Sequence, residues 1–192
     1  MTQVRFVKWV FLAVLVALFS LPASAQLQTF TVGMRDACDP DSFNATVGPG
    51  TCIPGAHGIT RFNLFIAELQ QDHIAGAWRF NPLLKTTPNT FNLATVNLNS
   101  GQQLSLQNFG GEVHTFTKVA RYNGGFVPTL NQLSQNPEPA PECLQPATAT
   151  NIFVESGTTE TGPTAGTDQL PAGRTHWECC IHPWMRMDIV VH

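Results

Sequence analysis

The sequence predicts an all-β fold, a sandwich of short antiparallel strands connected by long loops. Charged residues make up only 12% of the chain, which contains 15 glycines, 14 prolines and 13 phenylalanines. Such a composition favours short strands and turns over long amphipathic helices. From residue 95 onward, short segments of alternating apolar and polar residues recur between turn-forming residues. Several short strands at this spacing are typical of an antiparallel sandwich.

The predicted elements follow from periodicity and turn signals along the chain. Residues 33–58 contain Asp-Pro, Gly-Pro-Gly and Pro-Gly sequences and are expected to form a loop. Between Arg61 and Gln71, apolar residues recur at helical spacing, which predicts one short helix. The predicted strands cover 95–99, 103–108, 113–119, 151–155, 175–179 and 187–191. Residues 134–150 and 156–173 are rich in Pro, Thr, Gly and Ser and are expected to be loops.

The first 25 residues have the features of a secretory signal peptide. Arg5 and Lys8 precede an apolar run of 13 residues from Trp9 to Leu21, and the small residues 23–25 form an A-x-A cleavage signature. The run is shorter than the roughly 20 residues that a membrane-spanning helix needs, although an uncleaved anchor is the alternative. We therefore expect cleavage after Ala25 and a periplasmic or secreted protein with no membrane span.

The remaining chain, residues 26–192, is expected to be a single domain, in which 26–94 has no assignable pattern. Removing 25 of the 192 residues leaves 167, with 8 basic and 13 acidic side chains and a net charge of −5. Nucleic-acid binding needs a basic face to neutralise phosphates. The acidic balance therefore argues against a nucleic-acid partner.

The five cysteines constrain the chain further, because an odd number leaves one thiol without a partner. If one sulfur binds a metal, the other four can form two disulfides in an exported protein. Four cysteines allow three pairings, of which we favour Cys38–Cys52, across the predicted loop, and Cys143–Cys180. A vicinal disulfide between Cys179 and Cys180 is the alternative, and it would leave the other three unevenly paired.

The segment from Glu178 to Met185 concentrates metal-binding side chains, with a thiolate, an imidazole and a thioether spaced as C-x2-H-x2-M. A soft thiolate with imidazole and a distant thioether is the ligand set of copper electron-transfer sites. Neighbouring strand residues face opposite sides, so Cys179, on the same side as the inward Trp177, is the predicted ligand. Zinc is the alternative metal, but it prefers a closed set of four stronger donors.

A further ligand should come from another strand, and His114 is the best candidate. His176 lies three residues before Cys179 and should face the opposite side of its strand. Met187 is an alternative thioether donor, but its position predicts packing within the last strand. The weaker histidine candidates are His57, His73 and His192. The predicted ligands are His114, Cys179, His182 and Met185.

These residues resemble the blue-copper (cupredoxin) family, which includes plastocyanin, azurin, pseudoazurin and amicyanin. The loop from Cys179 to Met185 has the short amicyanin-type spacing. Asn108, six residues before His114, is similar to the family's first-histidine motif, and residues 170–173 are similar to its approach to the ligand cysteine. The similar segments, 95–119 and 151–192, cover roughly four-tenths of the chain.

The resemblance implies a Greek-key β-sandwich with one mononuclear type 1 copper near one end. It carries His182 across as a partly exposed imidazole and Met185 as the long axial ligand. Thr115 stands where many members have an asparagine whose hydrogen bonds connect the two ligand loops.

These observations predict an exported one-electron carrier whose unknown redox partner docks near His182, beside Pro183 and Trp184. We expect no enzymatic activity, because chemistry on a substrate needs an open coordination position or a second metal. Periplasmic copper sequestration or delivery is the alternative function. It ranks second because the chain after residue 25 contains only Met34, Met185 and Met187, and no histidine cluster.

Overall fold

The computed structural model describes residues 28–53, 58–80 and 94–192, which form mostly β-structure. The predicted signal peptide and His57 lie outside the described residues. The strands are β1 Thr29–Arg35, β2 Arg79–Phe80, β3 Ala94–Leu98, β4 Gln103–Asn108, β5 His114–Val119, β6 Asn151–Val154, β7 Thr159–Thr164, β8 Gly173–Glu178 and β9 Arg186–Val191. The helices are α1 Pro40–Thr46, α2 Phe62–Asp72 and α3 Pro128–Leu133, with a 3-10 helix at Pro141–Leu144. In the described part of the chain, no helix has the length and apolar character required to cross a membrane.

The strands form two sheets, with orders β2-β1-β4-β7 and β3-β9-β8-β5-β6. β1 pairs with β4 in parallel and β3 pairs with β9 in parallel, whereas the other pairs of named strands are antiparallel. The predicted antiparallel pairing is therefore correct for five of the seven pairs of named strands and wrong for β1–β4 and β3–β9. Parallel pairing needs a long crossover connection, and the chain between each parallel pair is long enough to provide it.

Apolar side chains from both sheets form one core between them. Strand alternation is clear in β4, where Leu104 and Leu106 are fully buried and their neighbours are partly exposed. Phe116 of β5 stacks on Trp177 of β8, with ring centroids 4.4 Å apart, and contacts Phe80 of β2 at 5.6 Å. The two-sheet, mostly β architecture confirms the predicted fold class.

Two regions predicted as loops contain regular structure. Within 33–58, β1 extends to Arg35 and α1 begins at Pro40. Asp39 caps α1 by accepting a hydrogen bond from the Ser42 N–H at 3.1 Å, so its Asp-Pro sequence starts a helix instead of a turn. Within 156–173, β7 forms the edge of its sheet, a position that tolerates its proline and glycine.

The helix predicted between Arg61 and Gln71 is confirmed as α2, shifted by one residue. Two further short helices, α1 and α3, lie in segments for which no helix was predicted. Phe65 of α2 contacts Trp78 and Trp184, with ring centroids 4.5 and 5.9 Å apart. The unassigned N-terminal part therefore packs directly on the segment that carries the predicted metal ligands.

Both favoured disulfides are present, Cys38–Cys52 and Cys143–Cys180. Cys179 is the free cysteine and is buried. The vicinal pairing of Cys179 with Cys180 is thereby excluded, and the thiol left over is the one predicted to bind a metal.

Candidate metal centre

The four predicted ligands lie at one end of the second sheet. His114 opens β5, and the other three occupy the connection between β8 and β9. All four are buried, with exposed fractions of 0% for His114, Cys179 and Met185 and 1% for His182. The expectation that His182 is partly exposed is therefore wrong, because Trp184 covers its ring, with centroids 5.5 Å apart.

The nitrogen and sulfur atoms of His114, Cys179 and His182 form a small triangle. Cys179 Sγ lies 3.8 Å from His114 Nδ1 and 3.7 Å from His182 Nδ1, and the two nitrogens are 3.2 Å apart. A point in the plane of these atoms is about 2.1 Å from each, close to the 2.0–2.3 Å at which nitrogen and sulfur donors hold Zn²⁺, an ion of similar size to copper. The three side chains are therefore placed to bind one ion of this size.

Met185 closes the loop that carries the downstream donors. Its N–H donates to the His182 carbonyl at 2.8 Å, and its own carbonyl accepts from the Cys179 N–H at 3.0 Å. Met187 lies in β9 opposite Trp177 and is buried in the core, as its position predicts. The axial role of Met185 stays a prediction.

Thr115 connects the two parts of the chain that supply the donors. Its N–H donates to Cys179 Sγ at 3.3 Å, and its hydroxyl accepts from the Cys180 N–H at 2.7 Å. Thr115 therefore connects the two ligand segments by hydrogen bonds. Many members of the family that the chain resembles have an asparagine at this position.

Asp36 is a partner of the site that the sequence did not reveal. Its Oδ2 lies 3.0 Å from His114 Nε2 and accepts from the Glu112 N–H at 3.0 Å, while Oδ1 accepts from the Gly111 and Cys38 N–H groups at 3.0 and 3.2 Å. Burial alone would raise the pKa of Asp36, but His114 and these backbone donors lower it below its ordinary value. No local signal could have found this contact, because Asp36 and His114 are 78 residues apart.

Glu112 is the second such carboxylate, and it faces the other imidazole. Its Oε2 lies 3.5 Å from His182 Nε2 and accepts a hydrogen bond from the Trp78 indole N–H at 2.5 Å. It lies in the bend just before β5, a position for which strand alternation makes no prediction. Each imidazole therefore has Nδ1 toward the thiol and Nε2 toward a carboxylate.

The three donor groups shift one another's protonation in the metal-free protein. Burial would raise the pKa of Cys179, but hydrogen bonds with His114 and His182 lower it well below its ordinary value. Burial would lower the pKa of His182, but Cys179 and Glu112 raise it to about 10. The pKa of His114 is raised as well, by Asp36 and Cys179 against the effect of burial. A bound cation would take the place of a proton on the Nδ1 atom of each imidazole, which faces the thiol.

A cavity of about 260 Å³ lies beside His182. Its lining includes Glu112, Ile53, Ile181 and Glu155 as well as the imidazole. Ile53 is 44% exposed, and Glu155 is also exposed. The cavity is therefore a place where a small chemical group can approach the otherwise covered imidazole.

The other described histidines lie away from the triangle. His176 Nδ1 is 2.7 Å from Asp188, His73 Nδ1 is 3.0 Å from the Leu133 carbonyl, and His192 is 3.1 Å from Asn97. The prediction that His176 faces away from the site is confirmed.

Comparison with known proteins gives weak structural likeness. No protein-family model and no curated protein matches the chain. An oxidised amicyanin variant is 14% identical with a TM-score of 0.32, covering 57% of this chain and 79% of its own. A reduced amicyanin variant is 16% identical with a TM-score of 0.31, covering the same shares. A multi-copper oxidase from Pediococcus acidilactici is 12% identical with a TM-score of 0.35, covering 90% of this chain and 28% of the oxidase. Likeness at this level does not assign a function, which has to be inferred from the residues of the site.

Proposed function

We propose that this protein is an exported type 1 copper protein that carries one electron at a time. The observation that carries the proposal is the triangle of His114, Cys179 and His182 donor atoms around one point about 2.1 Å from each, near the bond lengths of metal sites with nitrogen and sulfur donors. One thiolate and two imidazoles with a weak axial thioether form the donor set of copper electron-transfer sites. Met185 is the residue of this chain that would supply the thioether.

Copper, when bound, supplies a one-electron change between Cu(II) and Cu(I). The chain holds the donors in place through bonds that do not involve the metal. The Cys143–Cys180 disulfide fixes the residue next to Cys179, and Thr115 ties both ligand segments together. Donors that need not move keep the reorganisation on electron transfer small.

The proposal assigns no enzymatic activity to the chain. Chemistry on a substrate needs an open coordination position or a second metal, and the 0–1% exposure of the three donor residues favours a carrier over an enzyme. An unknown redox partner protein would dock over the mouth of the cavity beside His182, where Ile53 and Glu155 form part of the rim. Export is supported by the two disulfides, which persist in oxidising compartments.

The test is an absorption and EPR spectrum of the protein without residues 1–25, loaded with Cu(II). We expect an intense thiolate-to-copper band with narrow copper hyperfine splitting, and complete loss of this band in Cys179→Ser. The matched control is the double variant Cys38→Ala/Cys52→Ala, which also removes sulfur atoms but from the disulfide outside the donor triangle, and should keep the band. A pale spectrum that the Cys179 substitution does not change would exclude a copper–thiolate site.

A second pair of measurements distinguishes a function in electron transfer from a function in copper delivery. Reversible oxidation and reduction without loss of the metal, and slow release to a competing chelator, are expected of a carrier with buried ligands. Rapid transfer of copper to the chelator would instead favour delivery.

A further inference from the structure

The two imidazoles of the candidate metal centre have the same two kinds of neighbour, a thiol and a carboxylate. Each presents Nδ1 to Cys179 Sγ and Nε2 to a carboxylate, Asp36 for His114 and Glu112 for His182. An ionised carboxylate can only accept hydrogen bonds, so the proton between Asp36 and His114 is held on Nε2. The 3.5 Å contact of Glu112 with His182 Nε2 favours a proton on that nitrogen as well. The Nδ1 lone pair of each imidazole is then left for a metal.

We propose that Asp36 and Glu112 are positioning residues that hold both histidines with the proton on Nε2, and that their negative charges lower the reduction potential of the copper centre. This inference rests on the proposed function and specifies which residues set its potential. It also gives the N-terminal part of the chain, which supplies Asp36, a role in the chemistry of the site.

Hydrogen bonds and the space left by a glycine hold Asp36 in its position. The carboxylate has a fully buried side chain and accepts hydrogen bonds on both oxygens. A Cβ on Gly110 would collide with Asp36 Oδ2, so this glycine allows the carboxylate to approach the turn before His114. Glu112 is fixed in turn by the indole N–H of Trp78. Neither carboxylate can leave its histidine without losing other buried bonds.

The charges of these carboxylates face the site directly. In the described part of the chain, the ion pairs of Asp36 and Glu112 are with the two histidines and not with lysine or arginine. Buried charges are screened less by solvent than exposed ones. Nearby negative charge stabilises Cu(II) relative to Cu(I), because Cu(II) carries the larger positive charge. The potential should therefore be lower than in the same site without these charges.

The first experiment measures the reduction potential of copper-loaded Glu112→Gln and Asp36→Asn. Both substitutions keep the size of the side chain and remove its charge. We expect each to retain the thiolate-to-copper band and to shift the ratio of Cu(I) to Cu(II) affinity about tenfold toward Cu(I), a rise of about 59 mV in potential. The matched control is Asp188→Asn, which removes a buried carboxylate bonded to His176, a histidine outside the site. Its potential should equal that of the wild type.

The second experiment tests the position of the protons in the wild-type protein and needs no substitution. In the diamagnetic Cu(I)-loaded protein, histidine ¹H–¹⁵N NMR should show a proton on Nε2 of both His114 and His182. A proton on Nδ1 of either residue would overturn its assignment, even if the Asp36 variant failed to fold. Unchanged potentials in variants that keep the band would overturn the role of the charges and leave the copper site standing. A wild-type protein with no thiolate band would overturn the proposed function and this inference together.

Discussion

Two histidine–carboxylate pairs in this protein differ in what surrounds them. His114 Nε2 lies 3.0 Å from Asp36, and His176 Nδ1 lies 2.7 Å from Asp188. Both histidines belong to adjacent strands, β5 and β8, of one sheet. The side chains of the first pair are fully buried, whereas the His176 side chain is 35% exposed.

The two pairs differ in the other side chains that contact them. His114 has the thiol of Cys179 at 3.8 Å and a second imidazole at 3.2 Å. Asp188, in contrast, accepts further hydrogen bonds from the Tyr122 hydroxyl at 2.6 Å and from Arg174, so its pair is completed by donors that bind no metal. A histidine bonded to a carboxylate therefore indicates a metal site only where other side chains that can bind a metal face its second nitrogen.

The largest difference between the pairs should appear when each histidine is removed. His114→Ala takes away one of the three strong donors, so we expect loss of the thiolate-to-copper band or its replacement by a spectrum of altered geometry. His176→Ala should keep the band and its EPR parameters, because His176 faces the other side of β8. The comparison is made by titrating both variants with Cu(II) at the same protein concentration. An unaltered spectrum in His114→Ala would remove this residue from the ligand set.

A smaller difference is expected in the free energy of unfolding of the metal-free protein. Asp36→Ala leaves backbone donors without a partner in a buried position, which should cost about 2–4 kcal/mol. Asp188→Ala should cost about 1 kcal/mol, because the partly exposed Arg174 and His176 can be hydrated. Guanidinium chloride unfolding of both variants measures the two losses. Equal losses would show that the two pairs contribute alike to the fold.

The smallest predicted effect is a dependence of the Asp188 contribution on pH. Burial would raise the pKa of Asp188, but hydrogen bonds from Tyr122, His176 and Arg174 lower it below its ordinary value. A lowered pKa means that the carboxylate stabilises the folded state above its unfolded pKa of about 3.9 and loses this effect as the pH falls. The difference in unfolding free energy between wild type and Asp188→Asn should therefore shrink between pH 6 and pH 3. A constant difference over that range would contradict this assignment.

Local patterns predicted those elements that local forces determine. The helical spacing of Phe62, Phe65 and Leu69 located α2 because one face of that helix is buried. Alternation located β4 to its terminal residues for the same reason. The thiol, imidazole and thioether between Cys179 and Met185 could be recognised because a tight loop places them together.

Regions whose structure depends on distant partners were not predicted. β7 contains three threonines, one glycine and one proline, and it forms a strand because it pairs with β4. β1 pairs with β4 in a parallel register in which partners are 74 residues apart, as for Thr29 with Gln103 and Met34 with Asn108. The two parallel pairs have no sequence signature, because alternation is the same for parallel and antiparallel strands.

The sequence alone predicted the fold class and the set of donors assembled around Cys179, whereas the choice among three possible cysteine pairings needed the structure. These features depend on composition, on cysteine number and on residues that are close together in the chain. The burial of His182 and the contacts of Asp36 and Glu112 with the two imidazoles were decided by the packing of the N-terminal part against the second sheet. Such contacts join residues that are far apart in the sequence. Periodicity does not show which distant segments will pack against each other.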